Sequence, residues 1–519
     1  MALTRRDTLA VLMTYAAVLA QAGPGAAGPS SPGEGPALGP AAPFDFDRLK
    51  AMARARAAHP YAPVQSPPAS LTDAIGYDAF GAIRYRPGAG LWADRPGDAA
   101  VRFFHMGVSA PTPVAIHVVD QGHARPLIYD EALFDQPADS PGRRLGALAG
   151  FAGFKGMNAD HQTDWIAYLG ASYFRSADPF NQYGLSARGL AVNTATAEPE
   201  EFPGFVAFWL EHPVGGDLVV YALLDGPSVA GAYRISHHRS PAGLVQDIAV
   251  ELSFRAPVER LGLAPLTSMY WYGRPDHTPA QDWRPQIHDS DGLSLWTGAG
   301  ERIWRPLNNP PRVMTNLFLD QGPKGFGLMQ RDRAFDDYQD DGVFYDRRPS
   351  AWVEPVGDWG PGSVQLVEIP TNNEIQDNIV AFWTPRTPVV AGQVQALRYR
   401  LHWAAQEPGV FGVARAVATR TGRAGRPGFA APSDRRKLVI DFQGSSLAGL
   451  TRQSGVEPVV EAHRGQVFDP VAYPVVGTDR WRLMFDVQAD AGAAVDLRAY
   501  LRHGGAALTE TWVYQVFAA

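Results

Sequence analysis

Two short acidic segments carry side chains of the kind that cut glycosidic bonds. The first is Thr371-Asn-Asn-Glu-Ile-Gln-Asp-Asn-Ile-Val-Ala-Phe-Trp383, polar for half its length and then apolar and aromatic. Asp377 stands where this polar loop enters what should be a buried strand, a position at which desolvation sets the proton affinity of a carboxyl group. The second is Ile287-His-Asp-Ser-Asp-Gly292, which places Asp289 and Asp291 in a turn. Glycosidic cleavage with inversion requires a carboxylic acid to protonate the leaving oxygen. It also requires a carboxylate to activate water on the opposite face, roughly 6.5 to 9.5 Å away. Burial beside Ile379, Phe382 and Trp383, together with the charge of Glu374, is expected to keep Asp377 protonated near neutral pH. The bland alternative is that these aspartates hold turns by bonding their own backbone, the role expected of Asp291.

Only a folded sheet could bring the two segments together, and the surrounding pattern is that of strands. Ile248, Val250, Leu252 and Phe254 alternate with Ala249, Glu251, Ser253 and Arg255, and Leu397, Tyr399, Leu401 and Trp403 alternate with Arg398, Arg400 and His402. Period two buries one face. Residues 114 to 119, 218 to 224, 481 to 487 and 512 to 516 read the same way, and the 53 Gly and 44 Pro break the chain into short strands and turns. An all-β protein follows. The exception is a helix at residues 45 to 59, with Phe46, Leu49 and Ala53 on one face behind an Asp45 cap. No internal repeat suggests a propeller. Residues 44 to 403 are expected to form one large β-sandwich and residues 437 to 519 a second sandwich of immunoglobulin-like size. Between them, residues 404 to 436 contain Arg415, Arg420, Arg423, Arg426, Arg435 and Arg436 without periodicity, which reads as a linker and a long loop.

Residues 1 to 22 read as an export signal. Arg5 and Arg6 precede an apolar run too short to span a bilayer, and Ala20-Gln21-Ala22 has the form of a cleavage site. The adjacent arginines behind Thr4 point to the twin-arginine route, an ordinary export signal being the alternative; both place the mature protein outside the cytoplasm. Residues 23 to 43, almost wholly Gly, Pro, Ala and Ser, are expected to be a disordered tether. No later segment is apolar enough for stable membrane insertion. There is no cysteine, so stability must come from packing, for which 13 Trp, 18 Tyr and 25 Phe provide large apolar areas. A net charge of -7 without a basic face excludes nucleic acid as a partner and points to a neutral one.

Searches for other chemistry fail in useful ways. There is no phosphate loop, and Gly184-Leu-Ser-Ala-Arg188 lacks the last Gly of a nucleophile elbow. Asp289-x-Asp291-Gly292 opens like a calcium loop, but Leu293 and Gly300 occupy ligand positions. His237 and His238, adjacent on a strand, should point to opposite faces. No metal and no cofactor is expected.

The order of motifs carries a resemblance. Phe151-Ala-Gly-Phe-Lys155, Leu169-Gly-Ala-Ser-Tyr-Phe-Arg175, Tyr183-Gly-Leu-Ser-Ala-Arg-Gly189, Ala264-Pro-Leu-Thr-Ser-Met269, Trp304-Arg-Pro-Leu-Asn-Asn309, Arg348-Pro-Ser-Ala-Trp-Val353 and Val367-Glu-Ile-Pro-Thr371 stand collinear. Together they resemble the periplasmic glucan biosynthesis proteins D and G, from about Phe44 to Glu510-Thr-Trp-Val-Tyr514, and the export signal favours the D type. The resemblance implies a galactose mutarotase-like sandwich followed by an immunoglobulin-like domain. It further implies anomer-inverting endo-β-1,2-glucanase activity on linear β-1,2-glucan in the assembly of osmoregulated periplasmic glucans. By the same resemblance Asp377 is the general acid and Asp289 the general base, reached through a relay of a substrate hydroxyl and water.

Around this pair, Tyr345 is expected either to join the relay or to pack as a core aromatic, and Glu374 either to bind sugar or to pair with an arginine. Trp271, Trp352 and Trp383 stack on sugar rings or fill the core. Family members form dimers, which implies a homodimer, and the stretch from Val413 to Arg436 could close over a neighbour's cleft. A non-catalytic glucan scaffold and a transglycosylase or branching factor are the alternatives to hydrolysis.

Overall fold

A computed structural model describes residues 35 to 517, apart from 95 to 99, 213 to 217, 410 and 411, 426 and 427, and 490 to 493. The export signal and the first part of the tether lie outside the described residues. The rest of that tether is no tether. Leu38 bridges Leu127, the Gly39 N–H donates to the Pro126 carbonyl at 2.8 Å, and Ala42–Pro43 pairs with His123–Pro126 as an edge strand. Edge pairing uses backbone groups, which any composition supplies, so side-chain character could not disclose it.

The alternating segments are strands: Ala115–Asp120, Val219–Asp225, Gly243–Phe254, Val394–Ala404, Arg480–Ala489 and Thr511–Phe517. They belong to two large sheets packed face to face. The larger runs from the tether edge through Val219–Asp225, Val229–Ser240, Gly243–Phe254, Val394–Ala404, Ser350–Val356 and Gly325–Met329 to Gly292–Trp296 and Arg302–Pro306. The smaller runs from Met314–Asp320 through Gly362–Glu368, Ile379–Pro385, Leu261–Ser268, Ser186–Arg188, Tyr173–Ser176 and Asp164–Leu169 to Phe151–Met157 and Val101–His105. Between them, Phe154, Tyr168 and Phe174 of the smaller sheet meet Phe208, Tyr233, Leu252 and Leu401 of the larger. The outer face of the larger sheet is covered by the helix Phe46–Ala57, whose Asp45 cap accepts from the Arg48 N–H at 2.7 Å and whose Leu49 and Ala53 are buried. His237 is buried against the Tyr168 hydroxyl at 2.9 Å, while His238 faces Asp247 on the other side of its strand, as alternation requires.

The strand Ile379–Pro385 explains why its sequence is continuously apolar rather than alternating. Ile379, Ala381 and Trp383 enter the main core, whereas Val380 and Phe382 pack with Ala191 and Val367 in a separate cluster on the opposite face. A strand buried on both faces has no polar period.

The C-terminal region is a second two-sheet sandwich, with a four-stranded sheet of Arg415–Arg423, Arg435–Gln443, Arg480–Ala489 and Gly465–Pro474. Its other sheet is no separate body. Thr511–Phe517 pairs in parallel with Arg302–Pro306, Ile303 opposite Thr511 and Trp304 opposite Trp512, so Thr511–Phe517, Ala494–His503 and Glu457–His463 continue the larger sheet. The stretch read as linker and loop therefore contains the strand Arg415–Arg423. Its buried positions are Ala416, Ala418 and Thr419, too small and too polar to register as a hydrophobic alternation.

The second core, built on Leu438, Ile440, Phe442, Trp481, Phe485 and Trp512, takes in Trp304, Met329 and Trp352 from the first sandwich. Trp352→Ala is expected to cost about 3–5 kcal/mol. The loss should appear as one cooperative denaturant transition, seen at the same midpoint by far-UV circular dichroism and by tryptophan fluorescence.

Candidate functional site

The two acidic segments meet on one short piece of backbone, residues 268 to 270, where the strand Leu261–Ser268 ends. Asn378, directly after Asp377, clamps it from one side. The Asn378 side chain accepts from the Tyr270 N–H at 2.8 Å and donates to the carbonyls of Tyr270 and Ile369, both at 2.9 Å. Its own carbonyl accepts from the Ile369 N–H at 2.8 Å. On the other side, Ile287–His288 pairs with Tyr270–Tyr272, the Asp289 N–H donates to the Met269 carbonyl at 2.8 Å, and the Ser268 hydroxyl donates to that of Ser290 at 2.8 Å. Asp377 and Asp289 thus flank the same three residues, within reach of each other's charge.

Burial is the main reason that the Asp377 carboxyl is pushed up to about 6. Arg175 opposes this, Asp289 adds to it by like-charge repulsion, and Arg188 and Arg348 oppose it further. Only 6% of Asp377 and 4% of Asp289 is exposed, so water screens these interactions poorly. The contribution expected from Glu374 is replaced by that of Asp289, because Glu374 is neutralised elsewhere. Arg284 grips it with two bonds, at 2.9 and 3.0 Å, and the Tyr345 hydroxyl donates to it at 2.6 Å. Arg284 also binds Asp282 and Asp340, and through Glu374 it ties the segment before Asp289 to the loop before Asp377.

Arg348 orients the second carboxylate. It donates to Asp289 Oδ1 and lies over the Tyr345 ring, 3.8 Å from its centroid. The room for it comes from Gly184, where a Cβ would stand 2.8 Å from the Arg348 Cβ. The glycine that failed as part of a nucleophile elbow thus makes space for the guanidinium that holds Asp289. Asp291 bonds backbone, but that of residues 331 and 332 rather than that of its own turn, where the bland alternative put it. Its Oδ2 accepts from the N–H groups of Arg331 and Asp332, each at 2.8 Å, with its carboxyl pushed up by burial and by the charge of Asp332. Arg331 continues to Glu407 and Glu510, so the acidic turn is braced against the second sandwich.

The three tryptophans separate. Trp271 packs with Tyr272, Ile287, Tyr338 and Tyr345 in the cluster that carries the acidic turn. Trp383 is completely buried in the main core and Trp352 is buried between the two sandwiches, so neither presents a face to a sugar in this structure. Trp383 packs where Gly362 leaves room and Trp352 where Gly325 does. Arg284, Arg348 and Asn378 were missed in the sequence as parts of the site. Asn378 lies in the segment 371–383 and Arg348 opens the motif 348–353, but nothing local marked Arg284.

Profile comparison matches residues 44 to 516 to the family described as periplasmic glucan biosynthesis protein, MdoG. Glucans biosynthesis protein D 2 of Ralstonia nicotianae is 49% identical over 494 residues, covering 92% of this chain and 91% of that one. Glucans biosynthesis protein D of Stenotrophomonas maltophilia is 48% identical over 484 residues, covering 92% and 90%. Among solved structures, a galactose mutarotase related enzyme from Lactobacillus acidophilus is similar at a TM-score of 0.22 and 9% identity, over 49% of this chain and 91% of that one. A likeness that distant carries nothing further.

Gly184→Ala is expected to displace Arg348 and cost about 1–3 kcal/mol in a denaturant titration, the usual penalty for a methyl group forced into packed structure. A second expectation follows from Asp377. In the unfolded chain its carboxyl titrates near 3.8, and in the fold near 6. Between those values the folded state holds the extra proton, so stability falls as pH rises through the window. Asp377→Asn should therefore gain about 3 kcal/mol over wild type above pH 6 and nothing below pH 4, measured as the difference between their unfolding free energies.

Proposed function

The chain belongs to the periplasmic glucan biosynthesis protein family, and on that premise we propose that it is an anomer-inverting endo-β-1,2-glucanase acting on linear β-1,2-glucan. The observation that supports this best is the pairing of Asp377, its carboxyl pushed up to about 6 chiefly by burial, with Asp289 across residues 268 to 270. A carboxyl group kept protonated toward neutral pH can act as an acid, and an arginine-held carboxylate beside it can receive a proton.

In this reading the Asp377 proton passes to the glycosidic oxygen as the bond from that oxygen to the anomeric carbon breaks. Water attacks the same carbon from the opposite face, and its proton leaves through a substrate hydroxyl and intervening water to Asp289. Tyr345 donates its hydroxyl to Glu374 and supports Arg348 with its ring. Its part is therefore to hold the base's arginine rather than to begin the relay. Trp271 backs the acidic turn. Export by the twin-arginine route and a homodimer complete the proposal.

The relatives' names speak of biosynthesis, which favours as a second reading a factor that binds nascent glucan or transfers it to another sugar. Reducing-end release from linear β-1,2-glucan separates hydrolysis from binding, and product sizing separates it from transfer. Asp377→Asn and Asp289→Asn are each expected to lower kcat by roughly 10²–10⁴-fold while glucan still binds. Wild-type kcat should fall as pH rises past about 6, where the acid loses its proton. Undiminished cleavage by Asp377→Asn would remove it from the acid role.

A further inference from the structure

Of the 13 tryptophans in this chain, Trp283 alone stands largely in solvent, with 72% of its surface accessible. The other tryptophans are at least partly covered, so the fold has no general difficulty in burying indoles. Tryptophan is the largest apolar side chain, and leaving one in water forfeits more burial energy than any other exposed residue would.

Its backbone is nonetheless firmly held. The Asp282 carboxylate accepts from the Arg284 N–H at 3.0 Å, spanning Trp283, and forms two side-chain bonds with Arg284. Arg284 in turn grips Glu374, three residues before Asp377. Next in sequence to Glu374 is Ile375, 55% exposed, on a turn pinned by the Asn373 side chain at 2.9 Å. An indole and an aliphatic side chain therefore flank, in sequence, the Arg284–Glu374 ion pair, which joins the segments leading to Asp289 and Asp377.

We propose that Trp283, with Ile375 on the neighbouring segment, is the platform of an outlying sugar subsite at the rim of the candidate site. The proposal rests on the glucan reading above and extends it. A pyranose ring has an apolar face of C–H bonds that packs on an aromatic ring, while its hydroxyl edge stays in water or meets charged groups. The rim has both elements: the indole for the face, and the Asp282, Arg284 and Glu374 cluster for the edge. Because the turn is already locked by ion pairs, little ordering cost remains when a sugar stacks. A platform removed from the scissile bond gives binding energy shared by ground and transition states, so it governs KM more than kcat. It also engages only chains long enough to reach it.

The test uses the full mature chain and linear β-1,2-glucans of graded length. Trp283→Ala is expected to raise KM about tenfold on long chains, with kcat changed less than twofold and KM little changed on the shortest chains cleaved. Trp283→Phe, which keeps a ring, should restore most of the affinity. In the Asp377→Asn background, calorimetric titration of long glucan should show the same weakening on adding Trp283→Ala. Equal affinity with and without Trp283, in a protein that does bind glucan, overturns the subsite and leaves the glucanase reading standing. An altered mass in solution on Trp283→Ala, with glucan affinity unchanged, also overturns it and assigns the indole to an interface between copies. No glucan binding by either wild type or Asp377→Asn overturns the functional reading and the subsite together.

Discussion

Asn378 makes the joint on which the candidate site depends. One buried amide bonds both the N–H and the carbonyl of Tyr270, as a neighbouring strand would, and reaches Ile369 as well. A side chain that satisfies several buried backbone groups at once is costly to lose, because each group would be left unpaired in low dielectric. That is why the loop ending at Asp377 takes a defined position against residues 268 to 270. The acidic turn attaches to the same residues through backbone pairing, so the two segments are held together by the Asn378 amide on one side and by main-chain bonds on the other.

Electrostatics then divides the roles. Burial raises the proton affinity of Asp377 and the Asp289 charge raises it further, while Arg175, Arg188 and Arg348 limit the rise. Arg348 donates directly to Asp289 and only acts from a distance on Asp377, which separates two otherwise similar side chains. Arg284 removes Glu374 from the competition by neutralising it. Two aspartates thus acquire different chemistry from their neighbours, and the raised proton affinity of Asp377 costs stability above pH 6.

The second sandwich supports the first. Its sheet is hydrogen-bonded onto the larger sheet, and its core encloses Trp304 and Trp352. Arg331 carries the support to the acidic turn by presenting its backbone N–H to Asp291 while its guanidinium binds Glu407 and Glu510. The turn holding Asp289 is therefore braced from the smaller sheet on one side and from the interface between the sandwiches on the other.

Strand positions were legible because alternation in residues such as Ile248 to Phe254 follows directly from a pleated backbone with one wet face. The helix cap at Asp45 and the opposed His237 and His238 were legible for equally local reasons. Arg415–Arg423 escaped because its buried face is alanine and threonine, and the edge pairing of Ala42–Pro43 escaped because it is carried by backbone alone. Trp383 and Trp352 could not be assigned to core or cleft, since a period of two says that a side chain faces one way without saying what lies there. Chemical identity and the all-β plan are thus determined by the sequence itself, through residue type and local period. The meeting of Asp377 with Asp289, the gripping of Glu374 by Arg284 and the exposure of Trp283 were decided only by tertiary structure. Each depends on which distant backbones become neighbours, and that information is held by the whole set of strand pairings rather than by any segment of the chain.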